Sequence, residues 1–267
     1  MRRRVGCRIE LQIHGRAQLA FQIAVAEHPG LSITEQLTIT ADGFDVEPRV
    51  LRGAPGGRVH WLGLDGGRVV LDYLATVDGL ADSAPADQLD SLAYLRPSRY
   101  APSDHLVNFA RYEFAGVTDP RKLLDAVSSW VANRIRYAPG SSVGTDGALE
   151  TLLSGRGVCR DYAHLVVTLL RALDLPARFA AVYAPGLMPM DFHAVPEALV
   201  EGTWRVVDPT GMAPRQSLLR IATGRDAADT AFLSNYGATV DFIRSTVSAS
   251  VDGDLVLDDL SGLVSIQ

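Results

Sequence analysis

Residues 155–179 read GRGVCRDYAHLVVTLLRALDLPARF, and they set the architecture of the C-terminal half of the chain. Two glycines allow a tight backbone turn just before Cys159, because glycine adopts conformations that other residues avoid. After Cys159, apolar side chains recur at the spacing of one helix face until Pro176 ends the pattern. The residues of this face are Ala163, Val166, Leu169, Leu170 and Leu173. The stretch therefore predicts a glycine turn followed by a helix that begins at Cys159.

Helix and strand patterns continue on both sides of this helix. Asp119 and Pro120 form an N-cap and first-turn pair, and the apolar stripe after them predicts a helix that ends near Tyr137. Further strands are predicted at residues 178–183, 193–200, 204–208 and 239–251. The mixture predicts an α+β domain over residues 90–267.

The first third of the chain has a different pattern. Short stretches of alternating polar and apolar residues, such as 8–13, are separated by turn-forming clusters, and no helical period is present. The clusters lie at residues 28–30, 41–43 and 52–57. We therefore expect an all-β, sandwich-like domain over residues 1–85. Residues 78–90 lose periodicity and are predicted to form a linker.

The composition is that of an ordinary globular protein, with 267 residues, 47% of them apolar and 21% charged. The net charge of −6 and the scattered arginines argue against nucleic acid as a partner. No apolar run approaches the roughly 18 to 20 residues of a membrane span, and none follows the basic start as in a secretion signal. We expect a cytoplasmic protein without a membrane partner, in which Cys7 and Cys159 are free thiols.

Cys159 is the candidate nucleophile. A cysteine reacts as the thiolate, which a helix N-terminus favours through its unpaired N–H groups and its dipole. Gly155 and Gly157 would also let a substrate approach without a side chain in the way. A small residue that only packs where the helix meets the turn would give the same pattern. Position alone therefore leaves both interpretations open.

A hairpin downstream supplies candidate partners for this cysteine. If Glu201-Gly202 is a two-residue turn, paired residue numbers sum to 403, from Val200 opposite Thr203. His193 then lies opposite Thr210, on the same sheet face as Asp208, and the two could form a hydrogen bond. An odd shift of the register would separate them. Pro196 predicts an edge or a bulge in the first strand.

Other groupings of these residues fit the sequence less well. His164 is five positions from Cys159 on one helix, about 140° around the axis, so we interpret it as structural. A zinc site made from Cys159, His164 and His193 would lack the paired spacing of zinc ligands. Asp161, in the first helical turn, is expected to balance the helix dipole.

Six short motifs follow one another between residues 90 and 240. They are PSRY (97–100), GVCRDYAHL (157–165), LPARF (175–179), DFHA (191–194), VDPT (207–210) and GRDAAD (224–229). In this order they resemble the core of bacterial transglutaminase-like proteins. The resemblance implies a papain-like α+β core with a β-rich domain before it. By motif position, Cys159, His193 and Asp208 take the places of the family's catalytic triad, although Val195-Pro196 departs from the family's usual aromatic or aliphatic pair.

What the resemblance implies about function is cysteine-dependent acyl transfer at amide bonds. Cys159 would attack the amide of a peptide, a protein or a small molecule and form a thioester, with His193 as the base and Asp208 orienting it. Hydrolysis is favoured over crosslinking, because the resemblance class includes peptidases and amidases. No metal or organic cofactor is expected, since the thiol supplies the chemistry. The alternative is a non-catalytic binding or scaffold protein with this fold.

Overall fold

The computed structural model describes residues 1–53, 56–82, 86–260 and 262–267. Antiparallel strands fill the N-terminal third, and helices mixed with strands follow, so the α+β prediction with a β-rich N-terminal region is confirmed. The predicted turn at 52–57 and the predicted linker at 78–90 include residues 54–55 and 83–85, which lie outside the described ranges.

The regular elements are numbered along the chain. The strands are β1 (Arg2–Phe21), β2 (Leu31–Ala41), β3 (Phe44–Asp45), β4 (Arg49–Arg52), β5 (Arg58–Leu64), β6 (Gly67–Gly79), β7 (Arg136–Tyr137), β8 (Arg156–Gly157), β9 (Ala177–Tyr183), β10 (His193–Val200), β11 (Thr203–Val206), β12 (Leu219–Gly224) and β13 (Leu233–Val251). The helices are α1 (Gln88–Ala93), α2 (Val107–Glu113), α3 (Pro120–Arg134), α4 (Ala148–Ser154), α5 (Cys159–Ala172) and α6 (Ala227–Thr230), with 3-10 helices at Ser103–His105 and Arg215–Ser217. The predicted linker therefore includes the end of β6 and the start of α1.

The large sheet contains a strand from the far end of the chain. Its order is β3-β2-β6-β1-β5-β4, and β13 pairs with the other edge of β1 from Phe21–Leu233 to Arg3–Val251. The strand predicted at 239–251 thus exists, but it lies in the sheet of the N-terminal third. The division into residues 1–85 and 90–267 stays a prediction, and β13 crosses it.

A second sheet and a group of helices enclose α5. The sheet has the order β11-β10-β9-β12, and α5 packs against β9 and β10 while α2, α3 and α4 contact it from other sides. Every side chain from Asp161 to Ala172 is buried. The sequence predicted one apolar face, whereas α5 is surrounded as the central helix of its core. No helix in the described ranges is long and apolar enough to cross a membrane.

The helix before α5 ends earlier than the periodicity predicts. Helix α3 ends at Arg134, because Ile135 is already extended and the next two residues form β7. Strand β7 pairs in parallel with β8, so that Arg136 lies beside Arg156 and Tyr137 beside Gly157. This pairing brings Tyr137 to the backbone that leads into Cys159.

Candidate active site

Cys159 is the first residue of α5, as the sequence predicts. Its side chain is partly exposed, whereas Cys7 is buried, and both are free thiols. The N-cap residue Val158 has no polar side chain, so Asp161 reaches back and accepts a hydrogen bond from the Val158 N–H at 2.8 Å. The sequence predicts that Asp161 balances the helix dipole. The hydrogen bond shows that it also fixes the turn before Cys159.

Arg160 completes the support of this turn. Its guanidinium donates to Asp161 Oδ1 at 2.9 Å and to the Val143 carbonyl at 2.8 Å. The loop around Val143 is thereby tied to the residue that follows Cys159. Asp161 is fully buried, and the charge of Arg160 compensates it. The backbone around the thiol is thus held by hydrogen bonds on both sides.

His193 and Asp208 come together as a buried pair. The predicted hairpin register is confirmed, because Val200 pairs with Thr203 and Glu197 with Val206. His193 Nε2–H donates to Asp208 Oδ2 at 2.8 Å. Both side chains are almost completely buried, at 1% and 0% exposure. The imidazole and the carboxylate that the sequence proposes as partners are therefore in contact.

The backbone that carries Asp208 differs from the predicted hairpin in one respect. Strand β11 ends at Val206, and residues 208–211 form a turn in which Gly211 N–H donates to the Asp208 carbonyl. The pairing of His193 with Thr210 across two strands is therefore wrong. Thr210 instead donates to Asp208 Oδ1 from its backbone N–H at 2.9 Å and from its hydroxyl at 2.6 Å. These bonds fix the carboxylate, which leaves Oδ2 directed at the imidazole.

The charges around His193 favour its protonated form. Burial alone would lower the pKa of His193, but the Asp208 carboxylate and then the Cys159 side chain raise it to about 10. The second ring nitrogen, Nδ1, is buried and has no hydrogen-bond partner of standard geometry among the described residues. Since Asp208 holds Nε2, Nδ1 is the nitrogen that can exchange a proton with the thiol. The structure thus brings together all three residues that the sequence singles out.

His164 lies outside this group. It is completely buried, its ring stacks on Tyr100 at 5.3 Å, and its Nε2 accepts a hydrogen bond from the Ala227 N–H at 3.1 Å. Burial lowers the pKa of His164 to about 3, which keeps the ring neutral. Its contacts are those of a packing residue, in agreement with the structural interpretation. Among the described residues, no group of three His, Cys, Asp or Glu side chains could hold a metal ion.

Tyr137 is a neighbour of Cys159 that the sequence did not reveal. A parallel pair of two-residue strands places it, and the 19 residues between Tyr137 and Gly157 carry no hairpin signature. The one local signal is that Arg136-Tyr137 follows the apolar stripe of α3, and this does not connect Tyr137 to Cys159. Burial, followed by the charge of Cys159, raises the pKa of the Tyr137 phenol.

Comparisons with known proteins identify relatives of this chain. The model of the transglutaminase-like superfamily matches residues 108–209, a range that contains Cys159, His193 and Asp208. A solved structure of a candidate cysteine protease from Cytophaga hutchinsonii is 31% identical and superposes with a TM-score of 0.88 over 97% of this chain and 93% of that one. This relationship supports cysteine-dependent catalysis on a papain-like core.

Two other proteins match over less of the chain or at lower identity. An uncharacterized Mycobacterium leprae protein is 30% identical over 173 residues, which is 60% of this chain and 61% of that protein's length. The periplasmic domain of TgpA from Pseudomonas aeruginosa is 19% identical, with a TM-score of 0.43 over 78% of this chain and 90% of that domain. With the family model and the Cytophaga structure in agreement, the chain belongs to the transglutaminase-like superfamily.

Proposed function

We propose that this protein is a cysteine hydrolase that cleaves amide bonds of peptides, proteins or small amides through a thioester on Cys159. The observation that carries the proposal is the buried His193–Asp208 hydrogen bond, made by an imidazole whose second nitrogen is left for the Cys159 thiol. A carboxylate in this position fixes the tautomer of the imidazole and stabilises its charged form. Such an imidazolium is the partner that a nucleophilic thiolate requires.

The proposed reaction has two stages. The Cys159 sulfur bonds to the amide carbonyl carbon, and the C=O electrons move to the oxygen, which the Cys159 backbone N–H stabilises. When the oxyanion collapses, the C–N bond breaks and His193 gives its proton to the leaving amine. Water then attacks the thioester as His193 takes a proton from it, and the acid and the free thiol are released. Asp208 holds the ring in place throughout.

Hydrolysis is proposed over crosslinking because of the relative that matches nearly the whole chain. The Cytophaga protein, described as a candidate cysteine protease, is similar over 97% of this chain. An amine in place of water would give transamidation by the same acyl-enzyme, so the two activities differ only in the second stage.

The test uses a library of glutamine-containing peptides analysed by mass spectrometry, with and without an added primary amine. We expect cleaved peptides or deamidated glutamine from the wild type, and neither product from Cys159→Ala. An amine adduct as the main product would show that the acyl group passes to amines, so that transamidation replaces hydrolysis as the activity. If the wild type forms no product above the Cys159→Ala background, the enzyme proposal is contradicted and a binding or scaffold role takes its place.

A further inference from the structure

The backbone holds Tyr137 against the turn that leads into Cys159. Tyr137 lies beside Gly157 in the parallel β7–β8 pair. Arg136 N–H donates to the Gly155 carbonyl at 2.9 Å, and Ala138 N–H donates to the Gly157 carbonyl at 2.9 Å. Hydrogen bonds before and after Tyr137 therefore fix its backbone beside Gly157, which precedes the nucleophile by two positions in the sequence.

The side chain of Tyr137 extends towards Cys159 and stays accessible from the site. Its ring centre lies 6.0 Å from that of Tyr162, a buried side chain whose own hydroxyl donates to the Ile135 carbonyl. Tyr137 is 36% exposed. The Cys159 backbone acts on the Tyr137 phenol as a hydrogen-bond partner that lowers its pKa, so the hydroxyl lies near this amide.

The phenol also remains a hydrogen-bond donor at neutral pH. Burial, followed by the charge of Cys159, raises the pKa of Tyr137 to about 12, and the carboxylates of Asp191 and Asp208 act in the same direction. The Tyr137 hydroxyl is therefore neutral, and the groups around it carry negative charge. The described residues give this hydroxyl no carbonyl or carboxylate acceptor like the one that holds Tyr162.

We propose that the Tyr137 hydroxyl is the second donor of the oxyanion hole, beside the backbone N–H of Cys159. The inference rests on the proposed function. When the Cys159 sulfur bonds to the carbonyl carbon, the carbonyl electrons move to the oxygen, which accepts hydrogen bonds from both donors. The tyrosine keeps its proton throughout, because the proton for the leaving amine comes from His193. Removal of one such donor commonly slows acyl transfer about 100- to 1,000-fold.

The test compares two reactions of Cys159, of which only one passes through an oxyanion. Acylation by p-nitrophenyl acetate passes through an oxyanion and releases a burst of p-nitrophenolate. Alkylation by iodoacetamide displaces iodide at a saturated carbon and forms no oxyanion. For Tyr137→Phe we expect the burst rate to fall on the order of 100-fold, while the rate of Cys159 alkylation stays that of the wild type.

Two variants serve as controls. Tyr162→Phe removes a phenol hydroxyl from the adjacent ring, but this hydroxyl is bonded to Ile135, so the ratio of the two rates should stay unchanged. Cys159→Ala shows which part of the burst belongs to the thiol. Circular dichroism and thermal unfolding establish that each variant is folded.

The remaining outcomes overturn the proposal in distinguishable ways. A wild-type burst that Tyr137→Phe retains contradicts the role of Tyr137 alone, and a faster burst in Tyr137→Phe would mean that the hydroxyl blocks the amide. If burst and alkylation fall together, Tyr137 acts on the thiol and is no oxyanion donor. If the wild type gives no Cys159-dependent burst, the proposed function fails, and the role of Tyr137 with it.

Discussion

Gly157 controls how closely the backbone can pass the start of α5. A Cβ at this position would lie 2.6 Å from Asp161 Cβ and 2.9 Å from Asp161 Oδ2. Asp161 cannot move aside without cost, because its Oδ2 accepts the Val158 N–H and its Oδ1 accepts from Arg160. The absence of a side chain at Gly157 is therefore part of what places the Cys159 thiol.

Gly157→Ala should disturb both packing and catalysis. We expect a loss of about 1–3 kcal/mol in the free energy of unfolding from the forced shift of Asp161. Because the Val158 turn moves with it, peptide cleavage should fall on the order of 100-fold. Gly144→Ala is the matched control, since a Cβ there meets nothing within 4 Å. Urea denaturation and steady-state kinetics measure both effects, and equal behaviour of the two variants would contradict this role of Gly157.

Local pattern was sufficient to predict some of the site residues and insufficient for others. Cys159 could be identified because a glycine turn before an apolar period marks a helix start. His193 and Asp208 could be proposed as partners because the turn Glu201-Gly202 fixes the hairpin register, although Asp208 itself lies in the turn after β11. Tyr137 could not be identified as a neighbour of Cys159, because parallel strands are not joined by a short turn that can be recognised in the sequence.

The β10–β11 hairpin and its neighbours β9 and β12 carry a buried group of charges. Glu197 on β10 is fully buried and accepts hydrogen bonds from Arg178 Nε at 2.8 Å and from Arg220 at 2.7 and 2.8 Å. The Arg178 guanidinium also lies over the Trp204 ring at 4.1 Å. Burial disfavours the charged carboxylate, but the two arginines outweigh it and lower the pKa of Glu197 to about 2. Three strands are thus joined through one side chain.

Glu197→Gln should destabilise the protein strongly, because two buried guanidinium groups lose their counter-charge. The expected loss in the free energy of unfolding is about 3–5 kcal/mol at pH 7. A depressed carboxylate pKa stabilises the fold above its unfolded value near 4.5 and ceases to do so as the pH falls towards 2. The difference between wild type and variant should therefore shrink over that range.

The control for this prediction is Glu201→Gln at the turn of the same hairpin. Glu201 pairs with Arg121 at the surface, where both side chains are 54% exposed, so its loss should change stability much less. Urea titrations from pH 7 to pH 2.5 measure all three proteins. Equal destabilisation by the two substitutions, or a pH-independent difference for Glu197→Gln, would be evidence against the charge cluster.

Pairing between distant segments explains where the element predictions fall short. Helix α3 loses its last turn because β7 pairs with β8, and Asp208 leaves the strand because residues 208–211 turn. The strand within 239–251 was recognisable from its composition, but its partner β1 lies more than 200 residues away. Periodicity reports which face of an element is buried and does not identify what covers it.

Strands β1 and β13, which lie more than 200 residues apart in the sequence, pair along nearly their whole length. The large sheet shares its apolar core with the second sheet, because Tyr183, Leu219 and Ile221 belong to the same buried cluster as Ile9 and Leu71. The Tyr183 hydroxyl also donates to the Ile23 carbonyl at 2.8 Å. The two sheets are therefore expected to depend on each other for stability.

We expect thermal and urea unfolding to occur in one cooperative transition. Tryptophan fluorescence reports on both regions, since Trp61 lies in β5 and Trp130 and Trp204 lie in α3 and β11. Far-ultraviolet circular dichroism should give the same midpoint. Two separated transitions would show that residues 1–85 and 90–267 fold independently, as the sequence-based domain division implies.

The pairing of Cys159 with His193 can be tested without knowledge of the substrate. Iodoacetamide labelling of wild type and His193→Ala from pH 5.5 to 8.5, mapped by peptide mass spectrometry, measures how much of the Cys159 thiol reacts as thiolate. Cys7 is an internal control, because burial raises its pKa to about 12 and it is only 6% exposed. The wild type should label at Cys159 well below pH 8, and His193→Ala should lose this reactivity at low pH. Identical pH profiles for Cys159 in the two proteins would contradict the proposed enzyme.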